Sequence, residues 1–415
     1  MRWLIVCGWW FTWTLMAHGQ DVMDYESPTI NYSQAKTDNP LEKLATRVNQ
    51  KKVTLPHTPD HGHLRGLLAE LAIPESSQIL VFSMTSLQGH HIGPKTPRAI
   101  YFNDDTVVGY VQGEDGLLEI VTTDANLGVS FYTMSQKPGE SPSIQRETNR
   151  CMSCHGGTRS KGVPGLMVRS VIVDPQGKPV LSAGNFRSDH SSPISQRWGG
   201  WYVTGNSGDQ KHLGNYTLDG PKKTKPLENA RGQNVTDLSP WIDTKPYLQP
   251  HSDMVALMVL EHQVDVVNYL TRLGFETKII GNPDSPKLDT PVDDLVRQLL
   301  FSKETRLTAP VRGTSQFVRD FEAKGPRDKK GRSLRDFDLQ TRMFRYPLSY
   351  MMYSRAFGNL PRELRGRVLA RIHQVLTAPS PEPGFEHLKP LDRAALIEIV
   401  RDTVPNLPPC WNSRG

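Results

Sequence analysis

Five consecutive residues, Cys151-Met152-Ser153-Cys154-His155, set the strongest limit on what this chain can fold into. Two cysteines separated by two residues and followed at once by histidine form the covalent attachment signature of a c-type haem. The spacing follows from the chemistry. Each thiol adds across a haem vinyl group to give a thioether, and the short turn between them leaves the adjacent imidazole beneath the iron as its proximal ligand. A structural zinc site would need two further Cys or His ligands at matching spacing, and the other cysteines are Cys7 and Cys410. A redox dithiol would sit in a strand-to-helix turn of a βαβ unit, which the residues before Cys151 do not suggest.

The surroundings of the motif do not lead one to expect a simple all-α cytochrome c fold, in which the motif sits near the start of a helical domain. From Gln78 onward, short β-rich runs (QILVFSMT, RAIYF, TVVGYVQ, LLEIVTT, LGVSFYTMS) are separated by Gly, Asn, Asp and Pro clusters, the pattern of an antiparallel sheet. A single helical turn is expected within Ser141 to Arg150. Beyond the motif, MVRSVIVD, PVLSAG and RWGGWYVTG resume the strand pattern, so the haem is inserted between β segments. Near Ser252 the period changes. Ser252 reads as an N-cap, Met254 to Leu273 as an apolar helix stopped by Gly274, and further helices are expected at Pro291 to Phe301, Leu339 to Phe357, Pro361 to Leu376 and Leu391 to Val404. A helix is also expected at His63 to Leu71, closed by Pro74. The reading is an α+β chain: residues 20–60 an irregular lead-in, 61–250 a β-rich domain carrying the haem, and 251–415 an α-helical domain.

Residues 1–19 read as a signal peptide: basic Met1-Arg2, an apolar run from Trp3 to Met16, and the small-x-small site Ala17-His18-Gly19. Export to the periplasm or outside the cell follows. A transmembrane segment is not expected in the mature chain, because no later apolar stretch reaches spanning length. Export disfavours nucleic acid as a partner for the modest net charge of +6. No phosphate-binding loop, zinc-protease helix or serine nucleophile elbow accompanies the haem motif.

With these features in place, the chain resembles a family of secreted bacterial cytochrome c domain-containing proteins with a single haem motif. The shared segments are HGHLRGLL, SSQILVFSMTSLQ, RAIYFNDDTVVGYV, CMSCHGG, VPGLMVRSV, RWGGWYVTG and SDMVALMVLEHQ, covering about residues 61–275, with RYPLSYMMYS as a further match. The resemblance implies one covalently attached haem c and electron transfer; it names no substrate.

Cys151 and Cys154 are thus the expected thioether residues and His155 the proximal iron ligand. The sixth ligand stays open among Met167, His190, His212 and His262. Each has a plainer reading: core methionine, turn histidine, or, for His262 on an apolar helix face, a hydrogen-bonded core histidine. Trp198, Trp201 and Tyr202 are candidate walls for the porphyrin, and Arg169, Arg187 or Arg197 candidate partners for its propionates. The expected function is an exported electron-transfer cytochrome, exchanging electrons with a redox protein or a small-molecule donor or acceptor. The alternatives are a haem-dependent peroxidase or small-molecule oxidoreductase, and a secreted binding protein with a structural haem.

Overall fold

The computed structural model describes residues 21–113, 115–139, 142–219 and 229–412, so the expected signal peptide lies outside the described residues. Two short helices come first, α1 (Pro40–Asn49) and α2 (Leu64–Glu70). Six strands follow: β1 (Ile79–Val81), β2 (Arg98–Phe102), β3 (Thr106–Tyr110), β4 (Leu117–Asp124), β5 (Gly128–Ser135) and β6 (Ile144–Glu147). Then come the turn α3 (Met152–His155), the ribbon of β7 (Val168–Val171) and β8 (Asn185–Ser188), and the short strands β9 (Trp201–Tyr202) and β10 (Gly205–Asn206). The rest is mainly helical: α4 (Met254–Ile280), α5 (Asp289–Leu299), a two-residue strand β11 (Arg312–Gly313) beside β10, α6 (Phe317–Ala323), α7 (Arg355–Gly358), α8 (Arg362–Thr377) and α9 (Pro390–Thr403). The chain is α+β.

One antiparallel sheet organises the molecule, in the order β6-β5-β4-β3-β2-β1-β9. Period-two alternation sends its side chains to two different cores. Leu80, Ala99, Tyr101, Val108, Tyr110, Leu118, Ile120, Tyr132 and Met134 pack with α1, α2 and the segment around Leu238 to Leu248. Ile79, Val81, Ile100, Phe102, Val129 and Phe131 face the other way, into a core shared with α4, α5, α8 and α9. The change of period near Ser252 therefore marks a change of element, while the hydrophobic core runs continuously across it.

α4 is buried nearly all round, with 20 of its 27 residues inaccessible, as expected of a helix enclosed by protein on every side. Its N-cap is Asp253 rather than Ser252: the carboxylate accepts from the Val255 and Ala256 amides at 2.8 and 3.1 Å. The Ser252 hydroxyl instead joins two strands, accepting from the Leu80 amide and donating to the Tyr202 carbonyl. The expected stop at Gly274 is passed over. Leu273 and Phe275 on either side are buried in the core, which outweighs the cost of about 1 kcal/mol for an interior glycine. The helix ends at Gly281, in the left-handed conformation (φ 71°).

Three other expectations change. Residues 20–60 contain a helix, α1, whose N-cap Asn39 also reaches Asp124 and the Tyr132 hydroxyl on the sheet. The expected turn within 141–150 is the edge strand β6, and the strand expected at PVLSAG is replaced by β8 as the partner of β7. The long helix expected over Leu339 to Phe357 gives way to turns, a 3-10 turn at Tyr350–Tyr353 and α7. Pro347 interrupts that stretch, and Phe344 stacks on Phe337 while Tyr350 meets Phe321 edge-on at 4.7 Å, a cluster that a straight helix would pull apart.

Candidate haem-attachment site

The pentapeptide forms one helical turn between β6 and β7. Cys151 is half-buried against the apolar core and Cys154 is exposed, and neither is in a disulfide. Burial, reinforced by Glu147 and Glu119, pushes the Cys151 thiol up to about 12, so it is a neutral thiol. The His155 ring rests beside Phe131, centroids 5.1 Å apart.

The geometry fixes the protonation of His155. Its Nδ1 lies 2.9 Å from the Gly165 carbonyl oxygen, which can only accept, so Nδ1 carries the hydrogen. Burial holds the imidazole pKa below its usual value, and the neutral ring then has its lone pair on Nε2. Among the described residues no group hydrogen-bonds to Nε2. A carbonyl on one nitrogen and a free lone pair on the other is what a metal-bound imidazole requires. These residues fit a covalent haem.

Gly165 braces the turn a second time, its amide donating to the His155 carbonyl at 2.9 Å. Ser160 Oγ lies 2.9 Å from the same carbonyl. From the lead-in, the Tyr25 hydroxyl lies against Gly156, where a Cβ would stand 2.5 Å from it. The Asn268 side chain of α4 grips Leu166, with Leu166 N donating to Oδ1 at 3.0 Å and Nδ2 donating to Leu166 O at 2.6 Å. Sequence reasoning missed Tyr25, Phe131, Gly165 and Asn268 as parts of this site. Pro164-Gly165, ten residues beyond His155, is the one local signal; Asn268 lies 102 residues from Leu166 and leaves none.

The four candidate sixth ligands fall into two groups. His190 and His262 meet each other, Nδ1 to Nδ1 at 3.1 Å, deep in the core. His190 Nε2 lies 3.3 Å from the Ser302 carbonyl and therefore donates, which makes its Nδ1 an acceptor from His262. His262 Nε2 then accepts from the Ser349 hydroxyl at 2.7 Å. Every nitrogen of the pair is used, and burial drives the pKa of His190 down to about 4 and that of His262 well below its usual value. His212 accepts from the Gly214 amide on Nδ1 and stands edge-on to Trp198, so its Nε2 bears the hydrogen. In this arrangement the ring lone pair of each of the three already accepts a hydrogen bond. Met167 differs: it is partly exposed and follows two residues after the carbonyl that holds His155.

The candidate propionate partners also divide. Arg197 is buried in an ion pair with Glu261 at 3.0 Å, and Arg187 pairs with buried Asp265. Arg169 is partly exposed and hydrogen-bonds Asn185 at 2.8 Å. Trp198 is wholly buried, Trp201 Nε1 donates to the Arg169 carbonyl, and the Tyr202 hydroxyl donates to the Pro94 carbonyl.

Among the described residues no cluster of three or more His, Cys, Asp or Glu side chains could hold a metal ion, and no helix is long and apolar enough to cross a membrane. Comparison with protein-family models, with curated proteins and with solved structures returns no match.

Proposed function

We propose that the protein is an exported c-type cytochrome that carries one haem c on Cys151 and Cys154 and exchanges electrons with a redox protein or a small molecule. The observation that carries this reading is the state of His155: Nδ1–H held by the Gly165 carbonyl, Nε2 unengaged, and two undisulfided cysteines on the same helical turn. The bound haem supplies a reversible one-electron couple. The chain's own part is to hold His155 in one tautomer, to shield one side of the site with Phe131 and Cys151, and to leave Cys154 at the surface, where an electron partner can approach. Arg169 is the partner for a propionate.

Production in a host that matures c-type cytochromes tests the proposal. Haem staining should survive denaturation, disappear in the Cys151→Ala/Cys154→Ala double variant, and accompany a spectrum that external reductants and oxidants cycle reversibly. Wild-type protein without covalent haem sinks it.

A second reading has its own observation. With the ring lone pairs of His190, His212 and His262 already taken by other donors, the sixth position is left to Met167, water or a small molecule, which favours chemistry on an added ligand such as peroxide. A ferrous spectrum unmoved by carbon monoxide rules this out in favour of simple electron transfer.

A further inference from the structure

We propose that Asn268 is a positioning residue for the haem iron: it holds the loop whose carbonyl sets the donor strength of His155. The inference rests on the haem reading above and extends it to a residue on a different element. The connection is short. Gly165 gives its carbonyl to His155 Nδ1 and its amide to the His155 carbonyl, each at 2.9 Å. The next residue, Leu166, has both backbone polar groups bonded to the one Asn268 amide. Asn268 is buried, so water does not compete for its two bonds to the loop.

The close fit is a second, independent observation. A Cβ at residue 165 would stand 2.2 Å from Asn268 Oδ1, so the clamp reaches the loop only because residue 165 is glycine. The neighbouring polar groups of α4 bind the same stretch of chain: Asp265 pairs with Lys161, and Arg272 Nη1 donates to the Lys161 carbonyl at 2.7 Å. Asn268 alone among them is one residue from the carbonyl that matters.

A firm Nδ1–H···O=C bond makes an imidazole a stronger donor to its metal, which stabilises the oxidised state. Loosening Gly165 weakens that bond. The haem-loaded full chain should therefore show a higher midpoint potential in Asn268→Leu, with altered g-values in the ferric paramagnetic resonance spectrum and unchanged haem stoichiometry. Asn268→Ala removes both bonds to Leu166 with no added bulk or charge, so its shift should be in the same direction; it carries the test if the leucine variant does not accumulate. Leu273→Ala, a core change on the same helix without a polar contact to the loop, should leave both signals in place. Haem-bearing Asn268 variants with wild-type potential overturn the inference alone, as does an equal shift in Leu273→Ala. A wild-type chain that takes up no haem overturns it together with the proposed function.

Discussion

His190 and His262, with a partner at every ring nitrogen at 3.1, 3.3 or 2.7 Å, show how little freedom a buried imidazole has. The order of donors runs from the Met351 amide to Ser349 Oγ, from Ser349 to His262, from His262 to His190, and from His190 to the Ser302 carbonyl. Ser349→Ala strands His262 Nε2 in the core and should cost about 1–3 kcal/mol in denaturant unfolding. The same burial sets a pH dependence. His190 and His212 are held neutral, burial bringing their pKa values down to about 4 from the ordinary imidazole value of about 6.5. Between these two values the unfolded chain takes up protons that the folded chain refuses, so stability is full above about pH 6.5 and falls as the pH drops toward 4. For His190 the loss is at most roughly 3 kcal/mol. His212→Phe keeps a ring against Trp198 and removes one titrating group. The drop in urea midpoint between pH 7 and pH 4.5 should be visibly smaller in that variant; an unchanged drop refutes the assignment of His212 as a neutral, proton-refusing group.

Elements were legible where their pattern was local. The strands around β2 to β5 and the helices α5, α8 and α9 stand within a few residues of where apolar spacing puts them, because each buries one periodic face. The failures have a common cause in contacts that are distant in sequence. α1 holds its place through Asn39 and Asp124, the Leu339 to Phe357 stretch bends around an aromatic cluster, and α4 runs past Gly274 because the core continues on both sides of it. The Cys-x-x-Cys-His turn is plain in five residues, while the contacts that brace it, through Gly165 and Asn268, depend on a helix a hundred residues away. Gly274 offers a direct measurement. A Cβ there meets nothing within 4 Å, so Gly274→Ala should stabilise the protein by about 0.5–1 kcal/mol through lower unfolded-state entropy and better helix propensity. Destabilisation would mean that the helix needs glycine at that point.

At the scale of the whole molecule the question is whether the sheet and the C-terminal helices are one cooperative unit. Their shared core argues that they are: Phe131 and Val129 of β5, Trp198, and Leu396 and Ile399 of α9 belong to one continuous cluster. Buried charge ties the same halves together. Arg197, just before β9, pairs with Glu261 of α4, and both side chains are almost wholly inaccessible. Burial lifts the Glu261 carboxyl to about 7 against the pull of Arg197. Arg197→Met leaves that acid without its partner, and the cost should be about 3 kcal/mol, held down near neutral pH because Glu261 can take up a proton instead. If folding is cooperative across the pair, hydrogen exchange should report that loss equally in β5, in α4 and in α9, since all three open through the same global transition. Protection that falls in α4 and the sheet but stays at its wild-type level in α8 and α9 would place a true boundary inside the helical half. Protection that falls only C-terminal to Ser252 would divide the molecule where the sequence period changes, and would make the continuous core a contact between two separately folding parts.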